Sequence, residues 1–196
     1  IYVFDKKGKK YLEGLAGLWC ASLGYGNEEL IEALTTQLRT LSYSHMFGGR
    51  THQVVIDLAE KLTGMIPIEN GKVFFANSGS EANDSHMKML RYYFNVTGEP
   101  QKKKIITLEP SYHGVTLAAA ALTALPVMHT HFSIPADELG IIRTQSPHYY
   151  RYKLEGESES QFCARLIENL EKLILAEGPE TIAAYIAEPV GGASGV

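Results

Sequence analysis

Cysteine is scarce. Cys20 and Cys163 are the only two in 196 residues, far apart and outside any C-x-x-C. That excludes a disulfide framework and suits a reducing compartment. Basic charge is not in excess either: 18 Lys and Arg against 22 Asp and Glu leave a net charge of −4, so there is no footprint for nucleic acid. No apolar run spans a bilayer and no N-terminal signal peptide is visible, which leaves no membrane partner to expect. His45 and His52 bracket one segment, but no carboxylate or further imidazole sits at metal-ligand spacing, which argues against a metal. These absences describe a cytoplasmic protein, and a 45% hydrophobic content gives it ample core material. An initiator methionine is also missing. The chain opens on strand-like Ile1-Tyr2-Val3-Phe4 and stops on Gly195-Val196 straight after a strand end, so it reads as a segment of a longer protein.

What is present centres on residues 72–89, KVFFANSGSEANDSHMKM. Val73, Phe74 and Phe75 predict a short strand. Asn77, Ser78, Gly79 and Ser80 then supply turn and capping chemistry, and Met87, Leu90 and Phe94 recur at helical spacing. A strand, a tight polar loop and a helix N-terminus present free N–H groups, two hydroxyls and a positive dipole end at one point, which suits a phosphate. Capping by Ser78 or Ser80 alone explains the same residues. Neither a P-loop lysine nor G-x-G-x-x-G spacing is present.

Before this centre, residues 1–12 predict a hairpin around Gly8. GLAGLWCASLGYGN follows, in which Trp19 is either a core anchor or the wall of a pocket. Asn27 caps a helix carrying Leu30, Ile31, Leu34, Leu38 and Leu41 on one side, and residues 51–62 form another amphipathic helix. After the centre, Lys102–Lys104 read as a solvated strand entrance and residues 105–108 as a buried strand leading into E-P-S-Y-H-G. Residues 115–124 have helical composition, whereas 126–152 show no period. Residues 161–175 return to helix, and 181–187 form a third buried strand ending in E-P-V-G-G. The alternation predicts a mostly parallel α/β sheet, in which ligands bind beyond the carboxyl ends of strands. NSGSEA, EPSYHG and EPVGG all fall at such ends, which favours the phosphate reading.

In their joint order and spacing these motifs resemble the class III aminotransferases, pyridoxal-phosphate (PLP) enzymes of the aspartate-aminotransferase fold, and the likeness spans nearly the whole chain. It implies the fold type I PLP-dependent transferase architecture, truncated here, with residues 1–50 as an N-terminal small-domain segment and entry helix and 51–196 as the first part of the large PLP-binding α/β domain. It implies Ser78, Gly79 and Ser80 at the cofactor phosphate and Tyr112 stacked on the pyridine ring, with His113 beside it. It also implies Glu188 as the residue orienting an aspartate at the ring nitrogen. The G-L-W-C entry and the P-H-Y-Y-R segment, 147–151, look closest to the ω-amino-acid and amine:pyruvate branch. There Trp19 and Tyr112 would line the amine pocket, and the loop at 47–51 would reach a neighbouring subunit's site in a homodimer.

The resemblance has a gap. The family's Schiff-base lysine lies downstream of E-P-x-x-G, so no catalytic residue is assigned, and this chain alone is not expected to transaminate. The implied function is transfer of an amino group from an amine or ω-amino acid to a keto acid, with pyruvate as the expected acceptor. An aminomutase or a phospho-lyase would keep the same cofactor loop. A non-catalytic binding domain, or a nucleotide- or sugar-phosphate-binding α/β protein, are the readings from other classes.

Overall fold

The computed structural model describes residues 1–193 and 195; Val196, where the sequence reading marks the chain end, lies outside them. The chain forms two compact units, Ile1–Val73 and Phe74–Val196, whereas the sequence reading sets its boundary at residue 50.

In the first unit, β1 (Tyr2–Phe4) and β2 (Lys10–Leu12) form the expected antiparallel hairpin, with Tyr2 opposite Leu12. Ala16–Trp19 make one helical turn, α1, of left-handed sense: all four residues have φ between +49° and +62°. The helix α2 (Glu28–Thr40) starts where Asn27 predicts, its side-chain oxygen accepting the Leu30 N–H at 3.0 Å. Glu28 and Glu29 oppose the positive end of the helix dipole. The second amphipathic segment becomes α3 (Gln53–Met65). The apolar stripe of α2 finds no cover within the unit: Leu34 is 65% exposed and Leu38 61%.

The second unit is built on three parallel strands in the order β4-β3-β5: β3 (Lys104–Glu109), β4 (Ile141–Gln145) and β5 (Ile182–Ile186). β3 is central, with Ile105 beside both Ile141 and Ala184. Against the sheet pack α4 (Gly79–Val96) and α5 (Leu117–Leu122), where Met87, Ala121 and Leu122 meet Ile105 and Ile141 in the core. The four consecutive alanines of α5 let its backbone come close to its neighbours, and Ala119 to Ala121 are essentially inaccessible. Two short turns, α6 (Pro126–His129) and α7 (Tyr149–Tyr152), precede α8 (Glu159–Glu177), which buries Phe162 completely. Ser158 and Gln161 close a capping box at its start. Arg165 on α8 grips Glu157 with two nitrogens at 2.7 and 2.9 Å and holds that carboxyl down to about 2, fixing the turn after α7.

Three expectations need correction. Residues 73–75 are not a strand: the segment 72–76 pairs with no strand among the described residues, and Phe74 is 68% exposed. Apolar, β-prone residues still need a ladder partner, and none of the three sheet strands pairs with them. Conversely, the stretch 126–152 is not irregular throughout, since it contains β4. The basic run is only partly solvated: Lys104 lies in β3 and pairs with Glu177 at 2.8 Å.

Candidate functional site

The site lies in the second unit, where the loop after β3 meets the N-terminus of α4. Ser78 is the N-cap, its Oγ accepting the Glu81 N–H at 3.1 Å. Glu81 reaches back, and its Oε2 accepts from the Asn77 N–H at 2.8 Å and from Asn77 Nδ2 at 2.9 Å, which holds its carboxyl below the usual range. The N–H groups of Gly79 and Ser80 have no protein acceptor among the described residues, and a Cβ placed on Gly79 would meet nothing within 4 Å. Two unpaired donors therefore stand at the positive end of an 18-residue helix. Ser80 Oγ accepts the Val115 N–H at 3.0 Å. A hydroxyl that accepts one bond keeps its own proton to donate, so the Ser78 cap and the Ser80 hydroxyl each retain a donor. Capping by Ser78 and donation to an anion do not exclude one another.

The chain leaves β3 through a cis Glu109–Pro110 peptide and presents Tyr112, His113 and Gly114. Gly114 touches the start of α4. With φ at +131°, a Cβ on it would fall 2.5 Å from Ser80 Oγ and 3.0 Å from Ser80 Cα. The ring of Tyr112 is solvent-facing, 39% of the residue being exposed. Its N–H is held by Glu188 Oε2 at 3.0 Å, and Glu188 Oε1 accepts the Gly192 N–H at 3.1 Å. Glu188 thus ties the loop after β5 to the loop after β3. A cleft of about 310 Å³ opens beside it, lined by Leu108, Ser146, Pro147, His148 and Gly191.

His113 is buried, and its Nε2 has no hydrogen-bond partner among the described residues. Burial pushes its pKa down, Glu188 pulls it up and Arg143 opposes protonation, so the ring is neutral at neutral pH. A histidine whose folded pKa is depressed binds fewer protons folded than unfolded. The stability it contributes is complete above the unfolded value near 6.5 and is lost as pH falls through the folded one. Thermal unfolding between pH 7.5 and 5 should therefore steepen its decline below about 6.5, and His113→Asn should flatten that part of the curve.

The sequence reading missed the residues that hold this loop. Asn83 Nδ2 donates to the His113 carbonyl at 2.6 Å, and Asp84 Oδ1 accepts from Thr116 Oγ1 at 2.8 Å and from the Ala119 N–H at 3.1 Å. Their signal is weak in the sequence: both are polar residues among the covered positions of a helix that also covers Ser80 and Ser85 beside Met87 and Leu90. Trp19 belongs to the first unit. It is 57% exposed on the left-handed turn, with φ at +62°. Lys102 and Lys104 are engaged with Glu99 and Glu177, and Lys88 is exposed on α4.

An open helix N-terminus and an exposed aromatic residue thus lie together beyond the carboxyl end of the central strand of a parallel α/β sheet. The sequence profile of the family "Aminotransferase class-III" matches residues 1–196. The chain belongs to that family, whose members are PLP-dependent aminotransferases. It is 54% identical over its whole length to the "Probable gamma-aminobutyrate transaminase 2, mitochondrial" of Oryza sativa subsp. indica, covering 39% of that protein. It is 52% identical to the vanillin aminotransferase of Capsicum chinense, covering 42%. Among solved structures, the omega transaminase of Pseudomonas jessenii in complex with PMP superposes with a TM-score of 0.95 at 51% identity, over 100% of this chain and 43% of that one. A transaminase with L-Ala gives 0.94 at 51% identity, over 100% and 46%. The chain thus spans less than half the length of these relatives.

These relatives confirm the expected transferase fold and correct one expectation. The cytoplasmic location is overturned, because gamma-aminobutyrate transaminases of rice and tomato to which the chain is more than half identical are named as mitochondrial. Two isolated cysteines do not tell one internal compartment from another, and an organelle address is carried by a leader rather than by the folded domain. No helix among the described residues is long and apolar enough to cross a membrane.

Proposed function

We propose that this chain supplies the phosphate- and ring-holding part of a PLP site in an enzyme that moves an amino group from an amine or ω-amino acid to a keto acid, with pyruvate as acceptor. One observation carries the reading: the Gly79 and Ser80 donors and the Tyr112 face are locked together by the close approach of Gly114 to Ser80. The residues present fit the cofactor. The N–H groups of Gly79 and Ser80 and the hydroxyls of Ser78 and Ser80 would hold its phosphate, and Tyr112 would cover one face of its ring. When bound, PLP supplies an electron sink for the carbanion left as the substrate's Cα proton departs. Glu188, through its remaining lone pairs, would orient the group that pairs with the ring nitrogen, and the neutral His113 would sit beside the ring. None of this chain's lysines is assigned to the cofactor, and the chain is read as an N-terminal part.

The names of the relatives support an amine or ω-amino-acid donor, and the solved transaminase with L-Ala supports pyruvate, since alanine is its aminated form. Tyr112 would then also face the donor, in a homodimer with shared sites. The test is the full-length protein with PLP, pyruvate and a panel of ω-amino acids and aryl amines. Alanine formed with donor consumption supports the reading. Ammonia released without alanine would point to a lyase, and amine migration within the donor to an aminomutase. Ser80→Ala removes one donor to the phosphate and the acceptor of the Val115 N–H. It should raise the PLP dissociation constant about tenfold, and an unchanged constant would sink the phosphate assignment.

A further inference from the structure

The loop that presents Tyr112 is fastened from behind by a residue that never reaches the site face. Thr123, at the C-terminal end of α5, has 0% exposure. Its Oγ1 accepts the His113 N–H at 2.9 Å and lies 3.2 Å from the Gly114 carbonyl and 3.1 Å from that of Ala119, either of which takes its single proton. Its own carbonyl accepts from Arg143 Nη2 at 2.9 Å and is bonded to His129 Nε2 at 2.6 Å. Arg143 also donates to the carbonyls of Leu122 at 2.7 Å and Ala121 at 2.6 Å. The last carbonyls of a helix have no partner within it, and a cation there also opposes the negative dipole end. Arg143 stands in β4, with Thr107 of β3 beside it in register. Thr107 Oγ1 closes on the Leu122 carbonyl from β3 at 3.0 Å. The sheet therefore fixes the end of α5, and the end of α5 fixes the loop.

The backbone of that loop is held from three sides. The Tyr112 N–H goes to Glu188, the His113 N–H to Thr123, the His113 carbonyl to Asn83, and the Gly114 carbonyl faces Thr123. The bonds at Thr123 come from the side away from solvent, where the buried Ser111 is also held, its carbonyl accepting the Ala124 N–H at 2.9 Å and its Oγ lying 3.1 Å from Thr107 Oγ1. A stacking ring must be held within about 0.5 Å of its working position by groups that do not themselves touch the ligand.

We propose that Thr123 is a positioning residue of the cofactor site, setting the tilt of the Tyr112 ring, with Arg143 and His129 holding Thr123 in place. This rests on Tyr112 being the ring-stacking residue. Thr123→Val keeps the shape and removes the hydroxyl, leaving the His113 N–H without its acceptor. Thr123→Ser keeps the hydroxyl.

The full-length protein is titrated with PLP, and the circular dichroism of the bound cofactor in its visible band is recorded at saturation. Thr123→Val should weaken PLP about tenfold and change the sign or amplitude of that band, while Thr123→Ser restores both. A residue that only stabilises the fold would leave the band of the saturated protein unchanged. Wild-type affinity and band in Thr123→Val overturn the proposal and leave the reading of Tyr112 intact. A wild-type protein that induces no visible band overturns both. Should Thr123→Val fail to fold, amide exchange over residues 111–116 of the wild-type apoprotein decides. Slow exchange before PLP is added supports a preset loop, and exchange at the rate of an open loop overturns it.

Discussion

Gly114→Ala should cripple the protein before any cofactor chemistry is reached. The new methyl would lie 2.5 Å from Ser80 Oγ, 2.8 Å from Ala119 Cβ and 3.0 Å from Ser80 Cα, and only the first of these belongs to a group that can swing aside. The backbone also sits at φ +131°, which residues with a Cβ rarely adopt. Strain and overpacking each cost about 1–3 kcal/mol, so a loss of about 2–6 kcal/mol follows. That is a large share of the roughly 5–15 kcal/mol that holds a typical domain. Thermal unfolding of the apoprotein checks it. A midpoint within about 2 °C of wild type would mean that the loop and the helix start are not in contact.

Tyr112→Ala should do the opposite, sparing the fold and emptying the site. The ring faces solvent, so its loss should change apoprotein stability by less than about 0.5 kcal/mol. Removing one aromatic face from a bound ring forfeits apolar contact and stacking, about 2 kcal/mol or roughly thirtyfold in PLP affinity, with a lower rate of amino transfer. Tyr112→Phe should recover nearly all of it, because the loop is held through its backbone rather than through the hydroxyl. An alanine variant with wild-type affinity would remove Tyr112 from the site. The contrast between residues 112 and 114 separates what builds the loop from what the loop presents.

The parts legible in the sequence were those whose signal is local. The run at 105–108 is apolar and bounded by Lys104 and Glu109, and it became the central strand. Asn27 and Ser78 announced their helices by capping chemistry, and the structure bears both out. β4 was hidden because Arg143 interrupts it: a charge in a five-residue strand spoils the apolar pattern, and only the carbonyls at the end of α5 make that charge tolerable. The strand expected at 73–75 failed for the converse reason, since composition alone supplies no ladder partner. Thr123 was invisible. In the sequence it extends an Ala- and Leu-rich helix, and its role exists only once α5 lies behind the loop after β3.

The central claim is that the start of α4 receives the phosphate of a ring cofactor, and comparing PLP with pyridoxal tests it most directly. Equilibrium binding of each to the full-length protein, wild type and Ser80→Ala, isolates the phosphate from the ring. The account predicts that PLP binds the wild type at least about a hundredfold more tightly than pyridoxal, a difference of about 2.7 kcal/mol, and that Ser80→Ala narrows the gap about tenfold. Equal affinity for the two compounds would contradict it and return Ser78, Gly79 and Ser80 to the role of a helix cap.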